Sequence, residues 1–104
     1  MIISVMTTVD KKQTLEQIGR ALLQKRLVAC IQITGPFKSI YWWKGTLEET
    51  EEWIGIMKTR SELYDEVEKE VKALHPYEVP EIMAVEARTV LPAYEKWVVA
   101  ETGG

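Results

Sequence analysis

Two side chains in this sequence are good ligands for soft metal ions, and each type occurs once. Cys30 supplies the single thiol and His75 the single imidazole. Copper favours thiolate and imidazole ligands. Cys30 and His75 are therefore the first candidates for metal binding, and a shared site requires that folding brings them together.

The elements around Cys30 and His75 predict that folding keeps them apart. Cys30 begins the second strand, an edge strand, at the lower end of the predicted sheet, and His75 ends the second helix at the upper end. At ~3.3 Å per residue and ~4.8 Å between strands, we expect a separation of roughly 20 Å. One ion within one subunit cannot contact both. Cys30 is then either a small packed side chain or a ligand completed by another subunit, and His75 either caps carbonyl groups or binds metal.

A long antiparallel hairpin over residues 31–60 dominates the predicted fold. Its turn lies at Lys44-Gly45, where glycine supplies a positive φ, and Gly35-Pro36 predicts a bulge or an edge position in the first arm. An arm of about 13 residues spans about 40 Å. A compact domain of this length is only roughly 33 Å across, so the hairpin should overhang it. The overhanging ribbon carries four aromatic side chains: Tyr41, Trp42, Trp43 and Trp53. A patch of this kind predicts burial against another subunit.

The rest of the chain predicts the order βαββαβ followed by a third helix. Apolar runs give strands over 2–8 and 81–87, and helical spacing gives helices over 11–26 and from about 60 to 75. This is a single α+β domain over 1–104, a ferredoxin-like split βαβ sandwich with strand order 4-1-3-2 and both main helices on one face. The uncovered face is a second reason to expect an oligomer.

Capping residues define the predicted helix starts. Asp10, with Gln13 three residues later, predicts the start of helix one. Thr59 or Ser61 provides an N-cap for helix two, and Thr59 with Glu62 fits a capping box. Pro76 disfavours helical backbone at the preceding residue, and Pro92 is typical of the first turn of helix three.

Composition excludes several classes of function. A net charge of −3 without a basic face argues against nucleic-acid binding. No apolar run is long enough to span a membrane, and the N-terminus lacks the features of a signal peptide. A single cysteine suits a reducing cytoplasm, which is the predicted location. The chain has no catalytic Ser/His/Asp set, paired-carboxylate spacing or phosphate loop, so we expect no enzyme and no required cofactor.

Three segments resemble the CutA family of divalent-cation tolerance proteins. They are ALLQKRLVACIQI, SIYWWKGTLEETEEW and KTRSELYDEVEKEVKALHPYEVPEI, and the likeness covers essentially the whole chain. The resemblance implies a ferredoxin-like subunit in a tight homotrimer formed by sheet pairing between subunits. It also implies a role in tolerance to copper and other divalent ions.

The resemblance also bears on the metal ligands. Some family members carry a cysteine at the position of Thr7, and metal binding has been attributed to that cysteine and to the histidine at the position of His75. Threonine is a poor copper ligand, so this departure predicts weak binding, with His75 partnered by Glu78, Glu81 or a neighbouring chain. A helix C-terminus also favours protonated histidine, which competes with metal.

A second hypothesis concerns a cleft between subunits. Family trimers resemble PII signalling proteins in shape, which implies a sensor or adaptor that binds a small ligand or a partner protein. Lys58 lies in an apolar strand, where it either pairs with a carboxylate or holds an anionic ligand. The predicted cleft residues are Lys58, Tyr77, Glu78, Glu81 and Trp43. A third hypothesis is a structural role in which only the trimer matters.

Overall fold

Four strands form one antiparallel sheet in the computed structural model, which describes residues 1–104. The strands are β1 (Ile2–Val9), β2 (Cys30–Trp43), β3 (Thr46–Arg60) and β4 (Ile82–Glu86). The helices are α1 (Lys12–Gln24), α2 (Tyr64–Leu74) and α3 (Pro92–Glu101). The strand order is β2-β3-β1-β4. This confirms the predicted α+β, ferredoxin-like βαββαβ fold and its sheet order.

The core lies between one face of the sheet and the pair α1 and α2. Alternate residues of β1 and β3 point toward these helices, because side chains along a strand alternate between the two faces. The sheet contributes Ile3, Val5 and Met57, and the helices contribute Ile18, Leu22, Val67 and Val71. The predicted apolar stripe of α2 is shorter than expected, because its last member, Leu74, is 43% exposed.

Helix α1 approaches the sheet closely at Gly19. A Cβ atom at this position would lie 2.7 Å from Cγ2 of Ile31 on β2. Glycine in a helix costs about 1 kcal/mol relative to alanine, and the close contact with Ile31 explains why it occurs here.

The predicted helix starts are wrong in detail. Helix α1 begins at Lys12 with Lys11 at the N-cap, and no side chain caps it, so Asp10 does not play the predicted role. Thr59 belongs to β3, where its buried hydroxyl donates to the carbonyl of Leu27 at 2.7 Å. A 3₁₀ turn, Ser61–Leu63, separates it from α2. The Thr59–Glu62 capping box is therefore wrong, because the threonine satisfies a core carbonyl instead.

The β2–β3 hairpin gives the molecule its elongated shape. Lys44 and Gly45 form the turn, both with positive φ (50° and 82°), as a tight two-residue hairpin requires. The pairing register shifts between Thr34 and Phe37, which confirms the predicted bulge at Gly35-Pro36. The domain measures 45 × 26 × 22 Å. The hairpin therefore extends well beyond the helices that cover the rest of the sheet.

Helix α3 packs at the other face of the sheet, near its lower end. Its buried residue Val98 lies close to the end of β3, where the Arg60 guanidinium donates to the backbone carbonyl of Thr102 at 2.9 Å. The remainder of this face, including Met83 and Val85 of β4, stays exposed. The predicted uncovered face is thus present in a single chain.

Candidate functional site

His75 is held at the junction between α2 and the loop that leads to β4. It is the C-cap residue of α2, with extended backbone angles (φ −79°, ψ 134°), as the following proline requires. Its ring is buried, and Nε2 lies 2.7 Å from the carbonyl oxygen of Thr8 at the end of β1. The backbone N–H of Tyr77 donates to Nδ1 at 3.1 Å.

These two hydrogen bonds define the tautomer of His75. A carbonyl oxygen can only accept, so Nε2 carries the proton and donates it to Thr8. Nδ1 is then the acceptor for Tyr77, and the imidazole is neutral. Both nitrogens are engaged, so a metal ion could bind the ring only by displacing one of these bonds. His75 therefore connects α2, β1 and the loop, which is the structural role weighed against metal binding in the sequence.

Tyr77 continues this chain of contacts to Glu52 on β3. Its ring packs edge-on against His75 with 4.7 Å between ring centres. Its hydroxyl donates to Oε2 of Glu52 at 2.8 Å. Burial raises the pKa of Tyr77 above its usual value, and the hydrogen bond to Glu52 and the negative charge of that carboxylate raise it further.

Substitution of Tyr77 by phenylalanine tests this contact. The folded state keeps the phenol of Tyr77 neutral, whereas the unfolded chain ionises it near its ordinary pKa of about 10. The contribution of Tyr77 to the free energy of unfolding is therefore complete below pH about 10 and decreases as the pH rises above it. Y77F should lose the part of this alkaline dependence that Tyr77 contributes, while Tyr64 and Tyr94, whose pKa values are also raised, keep theirs. It should also lose about 2 kcal/mol at neutral pH, since Glu52 keeps no hydrogen-bond partner.

Urea denaturation of wild type and Y77F at neutral and alkaline pH measures both effects. Y64F is the control, because Tyr64 lies on α2 and bonds an exposed carboxylate, Glu68, which raises the pKa of Tyr64 to about 12. Y64F should cost little at neutral pH. Equal stability of Y77F and wild type at neutral pH would contradict a stabilising Tyr77–Glu52 contact.

Cys30 lies far from His75, as predicted. Cys30 pairs with Lys58, which pairs with Ser4, whereas His75 contacts Thr8 at the other end of β1. The two sites are therefore separated by about 13 Å along the strands and two strand spacings across them. The thiol of Cys30 instead lies 4.0 Å from the hydroxyl of Tyr94 on α3.

Lys58 lies outside the cleft that a single chain forms. It lies beside Cys30 at the lower end of the sheet, and its ammonium group donates to the side-chain carbonyl of Gln32. The other four predicted residues come together near the hairpin. Lys58 is on the same face of β3 as Glu52 but about six residues further along the strand, so its grouping with them in a cleft between subunits stays a prediction.

The cleft lies between the hairpin and the loop that follows α2, and its volume is about 730 Å³. Of its 11 lining residues, four were predicted, and Glu52 and Tyr41 are among those that were not. The lining residues that bear charge or aromatic rings are Tyr41, Trp42, Trp43, Glu52, Tyr77, Glu78 and Glu81. Three carboxylates thus border a cavity with aromatic walls.

Lys44 is a further residue of this region that the sequence-based prediction did not include. Its ammonium group lies 5.3 Å from the ring centre of Trp43 and 3.3 Å from Oε2 of Glu78. The turn that places it there was predicted, but its side-chain direction was not. The involvement of Glu52 was hidden by the bulge, because one extra residue in β2 changes which strand positions share a face.

The aromatic residues of the hairpin divide between its two faces. Tyr41 and Trp43 lie on one face of β2, while Trp42, which pairs with Leu47, lies on the other face and also borders the cleft. Trp42 is 73% exposed and Ile40 58%, so an apolar patch is present there as predicted. Trp53 does not belong to this patch, because it pairs with Val9 where β3 crosses the body of the domain.

Metal ligands do not converge within one chain. No three side chains of the His, Cys, Asp and Glu types lie close enough to hold one ion. Thr7 is buried between β3 and β4, and its hydroxyl has no hydrogen-bond partner.

Comparison with known proteins agrees with this fold. The family model described as CutA1 divalent ion tolerance protein matches residues 3–101. The chain belongs to the CutA family. A CutA relative from Pyrococcus horikoshii, named a divalent-cation tolerance protein, is 38% identical over 97% of this chain and 98% of its own.

Solved CutA structures share the same architecture over their full length. A structure from Archaeoglobus fulgidus, described as a periplasmic divalent cation tolerance protein, superposes with a TM-score of 0.95 at 37% identity, covering 98% of this chain and 99% of that one. The Thermus thermophilus protein gives a TM-score of 0.95 at 36% identity, over 99% and 100% of the two chains. These likenesses confirm the family resemblance.

The names of CutA relatives mention different cellular compartments. Besides the protein from Archaeoglobus, described as periplasmic, a rice relative is named chloroplastic, with 33% identity over 92% of this chain and 54% of its own. None of the helices in this chain has the length and apolarity needed to cross a membrane. The cytoplasmic location stays a prediction.

Proposed function

We propose that this CutA chain acts as a homotrimer that takes part in tolerance to divalent cations by binding metal ions weakly. The observation that carries this proposal is the family match over residues 3–101, whose description names divalent ion tolerance. The exposed apolar patch on the hairpin and the uncovered sheet face support assembly, since single chains seldom leave such surfaces open.

The ligand arrangement supports weak rather than tight binding. His75 would have to give up its bond to Thr8 or to Tyr77 before it could contact a metal ion. The carboxylates of Glu78 and Glu81 lie in the same cleft region, and oxygen ligands suit hard divalent ions better than copper. A neighbouring subunit would supply the remaining ligands.

The charge of the cleft argues against the second hypothesis where that hypothesis requires the cleft to bind a small anion. Within one chain Lys58 lies outside this cleft, which is bordered by Glu52, Glu78 and Glu81. A negatively charged ligand would be repelled by these groups. A PII-like adaptor role that uses this cleft for anions therefore has no support from its charge.

Titration of Cu²⁺ into wild type, H75Q and C30S by calorimetry tests the metal proposal. We expect weak binding to the wild type. Binding to H75Q should be about tenfold weaker, because this variant lacks the imidazole ligand. C30S should match the wild type, because Cys30 packs against Tyr94 at the far end of the sheet. Equal affinity of H75Q and wild type would exclude His75 as a ligand, and no binding to any form would contradict the proposal.

A further inference from the structure

The cleft beside the hairpin contains a buried carboxylate that lacks a cation. Glu52 is only 5% exposed, and its single hydrogen bond comes from the hydroxyl of Tyr77. None of the salt bridges in the chain involves it, although exposed carboxylates of the same hairpin, such as Glu49, do form them. Burial of an ionised carboxylate is costly unless a positive charge compensates it. Glu52 therefore points to a positively charged partner that enters the cleft.

Lys44 shows which kind of cation the rim of the cleft accepts. Its primary ammonium group lies over the ring of Trp43 and beside the carboxylate of Glu78. An aromatic face and a carboxylate together attract an alkylammonium group through its charge and its apolar stem. Both Lys44 and Glu78 are largely exposed, so this contact is weak and a ligand can displace it.

The rest of the lining specifies what lies between the charged positions. Tyr41, Tyr77 and Val79 also line the cleft and add aromatic and apolar surface to it. The volume of about 730 Å³ lies within the range of cavities that hold small molecules. A flexible chain of methylene groups fits such walls, and an ammonium group at each end would meet Glu52 at one end and Glu78 or Glu81 at the other.

We propose that this cleft binds an aliphatic diamine or polyamine. One ammonium group pairs with Glu52, the methylene chain packs on the aromatic walls, and a second ammonium group replaces Lys44 between Trp43 and Glu78. Recognition uses organic ammonium groups rather than a metal ion, so this site goes beyond the proposed metal tolerance. It does not depend on His75 or Cys30.

Calorimetric titration with cadaverine in metal-free buffer tests the proposal on the assembled protein. Cadaverine should bind the wild type, whereas glutarate and pentanol, which share its carbon number but not its charge, should not. E52Q should weaken binding about tenfold, while keeping an oxygen that accepts the bond from Tyr77. K44M should strengthen binding about threefold, because it removes the internal competitor.

Two further variants make the result decisive. E49Q is the matched control, because Glu49 lies on the same hairpin and pairs with Lys38 outside the cleft. E49Q should bind cadaverine as the wild type does. E78Q, at the exposed rim of the cleft, should also weaken cadaverine binding, and it replaces E52Q as the test if E52Q does not fold. Equal losses of cadaverine affinity in E49Q and E52Q would show that only net charge matters and would contradict a specific site at Glu52. Absence of cadaverine binding to K44M would overturn the proposal.

Discussion

Replacement of Trp42 by glutamate is expected to dissociate the proposed homotrimer. Trp42 is 73% exposed in one chain, pairs with Leu47 and lies on the same face of β2 as the exposed Ile40. Tryptophan is a frequent centre of binding energy in interfaces, and a charge placed there would be buried without a partner. The dissociation constant should rise more than about a hundredfold.

Analytical ultracentrifugation at micromolar concentration measures this effect. The wild type should sediment as three chains of 12.0 kDa, and W42E as one. W42F should stay assembled, because it keeps an apolar ring in place. L91E is the matched control, since Leu91 is an exposed apolar residue before α3 and far from the hairpin in sequence. A monomeric wild type, or an intact trimer of W42E, would contradict the proposed role of this patch.

The second large effect is expected at Leu22. Its side chain is fully buried between α1 and the sheet, in the cluster that includes Val5 and Met57. Truncation to alanine removes apolar contacts and leaves a cavity, because neighbouring residues relax only in part. L22A should lower the free energy of unfolding by about 2–5 kcal/mol.

Urea denaturation at one fixed protein concentration measures the loss. L74A is the control, because it is also a leucine in a helix but is exposed at the end of α2. L74A should cost less than about 1 kcal/mol. Similar losses of stability at both positions would contradict the assignment of Leu22 to the core and of Leu74 to the surface.

The sequence predicted those parts of the fold that local signals determine. Apolar alternation and helical spacing identified the strands and helices, and the Lys44-Gly45 turn fixed the hairpin. Helix starts were less well predicted, because side chains such as Asp10 and Thr59 can cap a helix or serve other groups. Thr59 bonds a core carbonyl, and only the tertiary fold decides between these partners.

The candidate site was predicted in part. His75 was singled out as the one imidazole at a helix end, and Tyr77, Glu78 and Glu81 lie together as expected because they are close in sequence. Glu52 was missed, because its position opposite Phe37 depends on the strand register beyond the bulge. A shift of one residue reverses the face of every later side chain, and although Gly35-Pro36 predicted a bulge, the sequence does not show how many residues it adds.

The bulge at Gly35-Pro36 also limits how far another strand can pair with the free edge of β2. Strand β2 is an edge strand of 14 residues, and a long unpaired edge is a template on which foreign strands can stack into aggregates. Proline has no backbone N–H, and the bulge breaks the regular row of donors and acceptors near the middle of this edge. A foreign strand can therefore pair with only half of this edge at a time, which lowers the tendency of the free edge to aggregate.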